Sequence, residues 1–190
     1  QLLGKSDFYT GGMPAEFGNA LSGAFDMHFR KGNKVDRQHR VRIGILGLDF
    51  ATEGPIKKNK SSYLVNYRYS TLGLLNSLGF ELIGERVGNN FQDLSFNLAF
   101  AGKDPSVQWT VFGIGGFSEE HYSPKPAEDR EIGTSNHWED RYNTSDIAVT
   151  GVTYTKILSI KSYLKGTTSF MTGDVGRKYD HLSFDTDPYR

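Results

Sequence analysis

Phe91–Ala101 reads FQDLSFNLAFA. Leu94, Phe96, Leu98 and Phe100 share one parity, and Ser95, Asn97 and Ala99 share the other. Successive side chains of a β-strand point to opposite faces, so this stretch predicts a strand with one apolar face and one small or polar face. Ser61–Ser70, SSYLVNYRYS, has the same period: Tyr63, Val65, Tyr67 and Tyr69 alternate with Ser62, Asn66, Arg68 and Ser70, and Leu64 is the exception. Helical spacing is best in Thr71–Leu82, TLGLLNSLGFEL, where Gly73 and Gly79 weaken it.

Further strands lie on either side. In Val107–Phe117, Val107, Trp109 and Val111 start on one face, then Phe112 and Ile114 fall on the other. A bulge near Val111–Gly113 gives that pattern, and so does a strand covered on both faces. Ser145–Thr155 slips similarly across Gly151, from Ile147 and Val149 to Val152 and Tyr154. Ile160–Met171 sets Leu164 and Phe170 against Lys161 and Lys165. Nearer the start, Val41, Ile43 and Ile45 alternate with Arg40, Arg42 and Gly44, then the parity flips to Leu46, Leu48 and Phe50. A tight hairpin at Gly44–Gly47 explains the flip, as does a bulge in one longer strand.

These segments amount to about seven strands and an all-β fold. Gly44–Gly47, Gly54–Lys60, Gly102–Ser106 and Lys156–Ser159 are short links, and Leu72–Asn90 and Glu119–Asn143 are long ones. After the first hairpin, short and long links alternate, as they do on the two rims of an outer-membrane barrel. His121–Tyr142 and Asp174–Arg190 are polar and read as loops.

Composition narrows the function classes. The 190 residues, 21.3 kDa, are enough for one ordinary domain. Lys+Arg and Asp+Glu are both 22, and a formal net charge of zero argues against a nucleic-acid footprint. No apolar run approaches the about 18 residues of a transmembrane helix, whereas a transmembrane strand needs only about 9–11 with every second one apolar. The absence of cysteine removes disulfides, thiolate metal sites and thiol nucleophiles. The chain opens at Gln1 without a charged, apolar leader, which reads as a mature chain or an excised piece.

Period two does not say which face meets what. Apolar-out with polar-in is a membrane barrel, and apolar-in with polar-out is a soluble sandwich or barrel. Tyr67, Tyr69, Phe91, Phe117, Tyr154 and Phe170 lie toward strand ends, as aromatic girdles do. Arg40, Arg42, Asn66, Arg68, Asn97 and Lys165 suit a wet lumen, although a solvated sheet face carries the same residue types.

No constellation carries catalysis, a metal or a cofactor. His28, His39, His121, His137 and His181 lack ligand spacing. Asp174, Asp180, Asp185 and Asp187 do not match an EF-hand loop. Gly113–Gly116 lacks the Lys-Ser/Thr of a phosphate loop, and Ser22-Gly23 lacks a nucleophile elbow. Glu119, Glu120, Glu128, Asp129 and Glu131 read as solvated loop charge. Tyr122, Trp138 and Tyr142 of the same loop either stack on a sugar or aromatic ligand, or pack the loop against its own barrel.

Phe8–Asn33, FYTGGMPAEFGNALSGAFDMHFRKGN, contains Gly11, Gly12, Pro14, Ala15, Glu16, Phe17, Gly18 and Asn19, then Ser22 and Gly23, the apolar Ala24–Phe29, and the exit Lys31-Gly32-Asn33. This phrase resembles the C-terminal end of the plug domain of TonB-dependent outer-membrane receptors, and the strands after it resemble receptors of the Bacteroidetes type. His28 and Phe29 stand where that family commonly has smaller residues. The resemblance implies part of a transmembrane antiparallel β-barrel of about 22 strands. Residues 1–33 would end the plug domain, and residues 34–190 would be the first strands of the barrel.

It further implies a location in the cell outer membrane of a Gram-negative bacterium. The activity would be uptake of a scarce nutrient, a siderophore, peptide or glycan, by TonB-driven plug rearrangement, and not an enzymatic one. Its partners would be TonB, through a segment outside this chain, outer-membrane lipid and lipopolysaccharide, and a surface lipoprotein or other envelope subunits. Glu16 either pairs with an arginine of the barrel wall or takes part in a local turn. Two rival functions remain open: a non-transporting barrel subunit of an envelope complex, and a soluble secreted β-sandwich that binds glycan.

Overall fold

The computed structural model describes residues 2–12, 14–18, 22–45, 47–72, 87–126, 129 and 138–182. Its strands are β1 (Leu3–Thr10), β2 (Gly23–Phe29), β3 (Gln38–Gly44), β4 (Gly47–Lys57), β5 (Ser61–Tyr69), β6 (Val87–Ala101), β7 (Val107–Tyr122), β8 (Glu139–Ser159) and β9 (Ser162–His181). β1 and β2 pair with each other, and β3 to β9 form one seven-stranded open sheet in chain order. Every pairing is antiparallel. Among the described residues, no helix is long and apolar enough to cross a membrane.

The parity flip near the start is a tight hairpin, because Gly44 pairs with Gly47 across residues 45–46. The slips in β7 and β8 are not bulges. The β6–β7 and β7–β8 registers run unbroken, so Phe112, Ile114, Ile147 and Val149 stand on the face opposite Trp109 and Val152. A cross-strand glycine makes room for each large ring. Phe96 lies over Gly113 and Phe112 over Gly151.

A Cβ on Gly151 would sit 2.5 Å from Phe112 Cζ and 2.7 Å from the Thr168 carbonyl oxygen. Gly151→Ala is therefore expected to cost about 1–3 kcal/mol, by overpacking against backbone that cannot retreat. The check is a lowered urea midpoint, with Gly166→Ala unchanged because nothing lies within 4 Å of that position.

Two segments read as loops are strand. β7 continues to Tyr122 and β8 begins at Glu139, so Glu119, Glu120, His121, Tyr122 and Tyr142 belong to the ladder. β9 continues to His181 and takes in Asp174–His181. Both faces are polar there, so hydropathy carries no alternation, and cross-strand hydrogen bonds stand in its place. Asn143 Nδ2 donates to Glu120 Oε2 at 3.2 Å, and Arg177 Nε donates to Asn143 Oδ1 at 3.1 Å. Of the helical candidate Thr71–Leu82, residues 73–82 lie outside the described residues.

The residues leaving β2 lie against one face of the sheet. The buried side chains Ala51, Glu53, Ser62, Leu64, Asn66, Ser95, Asn97 and Ala99 all share that face by register. Over β4–β6 the covered face is thus the more polar one. On the other face Val41, Ile43, Phe50, Leu94, Trp109, Phe117 and Phe170 are exposed.

Candidate functional site

The covered face is built around the exit from β2. Glu53, on the inner parity of β4, is 9% exposed. Its carboxylate accepts Arg30 Nη1 at 2.8 Å and Nη2 at 2.7 Å, a bidentate pair. The Asn33 backbone N–H adds a third bond, at 2.9 Å to Oε2. From β6, Asn97 Nδ2 donates to the Arg30 carbonyl at 2.8 Å. Gly32 sits so close to β5 that a Cβ there would lie 2.0 Å from the Tyr63 carbonyl oxygen. Asn33 Oδ1 then accepts the N–H groups of Val35 and Asp36 at 2.8 and 3.1 Å, which turns the chain toward β3.

The wall beside this anchor carries a row of charges. Arg42, Asp49, Arg68 and Asp93 stand opposite one another in register across β3 to β6. The signs alternate, so each neighbouring pair is favourable. Arg68 Nε and Nη2 reach Asp93 Oδ2 at 2.8 and 2.7 Å. The row ends at Gly116, where a Cβ would lie 2.8 Å from the Asp93 Cβ.

Between β2 and the inner face of β7–β9 lies a cavity of about 770 Å³. Lys31 Nζ crosses its edge to Gln108 Oε1 at 2.7 Å. Phe29 meets Phe112 edge-on, with ring centroids 6.3 Å apart at 78°. The Phe112 ring also lies over Gly151.

At the far end of β7–β9 the inner face is polar. Tyr122 OH donates to Glu120 Oε1 at 2.7 Å, and the Arg141 guanidinium lies 4.2 Å from the Tyr122 ring centroid. On the outer face Tyr142 stacks on His121 at 4.0 Å and 6°, and His121 Nε2 lies 2.6 Å from Asp140 Oδ1. Tyr122 and Tyr142 therefore stand on opposite faces and form no common platform. Trp138 precedes β8, and its carbonyl accepts the Leu182 N–H at 2.8 Å.

The phrase singled out in the sequence forms the β1–β2 connection. Gly11 has a φ of +82°, which glycine adopts freely. Pro14 precedes a 3-10 turn at Ala15–Phe17, in which the Phe17 N–H donates to the Pro14 carbonyl at 3.0 Å before Gly18. Ser22 leads into β2, where Gly23 pairs with Thr10. Asn19 and the side chain of Glu16 lie outside the described residues. An ion pair between the exit from β2 and the sheet is made by Arg30 and Glu53. The signal for it was the lone carboxylate on the polar parity of FATEG.

The outer face has aromatic ends. At one end Trp109 packs on Tyr154, with centroids 4.8 Å apart, and Phe100 is its register partner on the other side. At the other end Phe117, Tyr69 and Leu48 stand in one row with Gln92. From Trp109 to Phe117 the strand advances about 27 Å at roughly 3.4 Å per residue. Phe170 lies midway along this band, in the row of Thr150 and Gly113, and Phe91 faces inward beneath Arg68. The row of Phe117 continues into Asp146 and Asp174, and beyond it the outer face is polar, with Glu119 and His121.

No family model, no curated protein and no solved structure matches this chain.

Proposed function

We propose that this chain is part of a TonB-dependent outer-membrane receptor that takes up a scarce nutrient. Residues 1–33 end the plug domain, and residues 34–190 supply about seven strands of the barrel wall. The observation that carries the reading is the inverted polarity of the sheet. On β4–β6 the polar face is covered by the chain leaving β2, and the apolar outer face of the sheet lies between two rows of aromatic side chains. An apolar band of about 25 Å between aromatic girdles is what a bilayer requires of a barrel exterior. In that setting the outer edges of β3 and β9 pair with strands beyond these residues, because lipid does not tolerate an open edge.

Three of the four short links, residues 58–60, 102–106 and 160–161, close one end of the sheet, where the chain from β2 enters β3, and the Gly44–Gly47 hairpin closes the other. The first of these ends suits a periplasmic rim, with residues 70–86 and 123–138 toward the outside. Uptake then requires the residues before β3 to move when TonB pulls.

Phe170→Arg in the full-length protein tests the reading. Phe170 is 68% exposed at the middle of the band. In lipid the substitution is expected to cost about 2–4 kcal/mol and to remove the heat-shifted band from gels of the outer-membrane fraction. If that face is in water, the variant folds as well as the parent, and the receptor reading falls.

A further inference from the structure

Charge is not spread evenly along the strands. Lys57, Lys58 and Lys60 stand at the turn from β4 to β5, and the Asn59 N–H donates to the Lys34 carbonyl at 2.9 Å, which ties a further cation to that turn. Arg37 lies over Gly54, where a Cβ would sit 2.8 Å from Arg37 Cγ. Lys103, Lys156 and Lys161 carry the row along the links from β6 to β7 and from β8 to β9. All belong to the end closed by residues 58–60, 102–106 and 160–161. Lys34 and Lys156 are half-buried, and the others are exposed.

Two carboxylates, Asp36 and Asp104, stand among them. Asp104 accepts the Ser106 N–H at 2.9 Å, and Lys156 is the cation near it. Glu53, further in, is held by Arg30. Among the described residues, none of the cations in the row has a carboxylate at ion-pair distance. The whole chain has no formal net charge, so this end is basic at the expense of the rest. On the outer face the carboxylates gather at the opposite end, with Asp146, Asp174 and Glu119, where Lys178 is paired with Asp180.

The basic row borders the apolar outer band. Tyr154 packs on Trp109, and Lys156 follows on the same face of β8. Arg37 and the Tyr63 hydroxyl both reach over Gly54. Apolar band, aromatic row, then long cations is the order in which a membrane-spanning wall passes from hydrocarbon to headgroups. At the tip between β8 and β9, Lys161 is interleaved with the exposed Ile157, Leu158 and Ile160. Apolar and cationic side chains side by side suit the boundary between acyl chains and anionic headgroups.

We infer that this end of the sheet is a binding surface for the headgroups of anionic phospholipids. The row of exposed cations lies against the lipid phosphates, and the tip of β8–β9 dips among the chains. This rests on the receptor reading, which puts the short links at the periplasmic rim and so in the phospholipid leaflet.

The test uses the full-length protein reconstituted in phosphatidylcholine vesicles. Each preparation carries a trace of phosphatidylglycerol or of phosphatidylcholine with the same fluorescent chain, and energy transfer from tryptophan reads which lipid gathers at the protein. Phosphatidylglycerol is expected to be favoured about tenfold at low salt, and less as salt rises. Lys57→Gln/Lys58→Gln/Lys60→Gln/Lys103→Gln/Lys161→Gln is expected to lose most of that preference with the heat-shifted band intact. Lys178→Gln, at the opposite end, is expected to keep it. Equal recruitment of the two lipids, or an unchanged preference in the multiple variant, overturns the inference. So does capture of soluble polyglutamate in place of phosphatidylglycerol, which would make the rim a dock for an acidic protein segment. A heat-shifted membrane protein without the preference overturns it while the receptor reading stands. A soluble protein without a heat shift overturns the receptor reading itself, and the inference falls with it.

Discussion

Gly32→Ala is expected to detach the chain after β2 from the wall. The new Cβ would lie 2.0 Å from the Tyr63 carbonyl oxygen and 2.6 Å from its carbon. β5 is hydrogen-bonded to β4 and to β6, so it cannot retreat, and residues 30–33 must lift instead. Overpacking against backbone costs about 3 kcal/mol at the upper end of its usual range. Lifting also breaks the bonds from Arg30 and Asn33 to Glu53. Limited trypsin digestion of the folded protein reads this directly, because Arg30, Lys31 and Lys34 would become cleavable while the sheet stays intact. Gly12→Ala is the control, since nothing lies within 4 Å of Gly12. Unchanged digestion of Gly32→Ala would mean that the chain is not seated on β5.

Glu53→Ala is expected to be the most damaging single loss of charge. It removes the bidentate acceptor of Arg30 and the acceptor of the Asn33 N–H. The expected loss is about 2–4 kcal/mol, below that of a fully buried pair because Arg30 is partly solvated. Glu53→Gln keeps the shape and one acceptor, and is expected to lose less. In a double-mutant cycle, Arg30→Ala should add little once Glu53 is gone. Urea midpoints of the four proteins give the coupling, and additive losses would mean that the two residues do not act as a pair.

Much of the sheet was legible because half-buried strands write their period into the sequence. Phe91–Ala101 and Ser61–Tyr69 each lie in a strand with the predicted alternation, and Ser70 falls just past the second. Leu64, the exception in its strand, fills the inner face opposite Glu53 and Asn97. Period two stopped at Glu119 and Asp174 because both faces are polar beyond those points, and a charged ladder looks like a loop to hydropathy. The slip at Gly113 was ambiguous because a glycine under a cross-strand ring and a bulged residue leave the same trace. The sense of the sheet was not written in any one strand. It depends on residues 30–33 folding onto the Ser62–Asn97 side, a contact between segments far apart in sequence. The anchor was missed for the same reason, since Glu53 and Arg30 are ordinary residues until they meet.

The Arg30–Glu53 clamp has a mechanical consequence. Among the described residues β3 is hydrogen-bonded on one side only, to β4, and is followed by a tight turn. A tension applied to residues before 30 and carried straight into β3 would peel it from β4 one hydrogen bond at a time, as a zipper opens. The clamp and the Asn97 bond sit upstream of that edge and tie the chain to β4 and β6. Load therefore passes into the middle of the sheet, where several strands share it, and the seam stays closed. Under such a load the same contact would let residues 1–29 be displaced while the sheet stays paired, much as a strain relief protects the joint of a pulled cable.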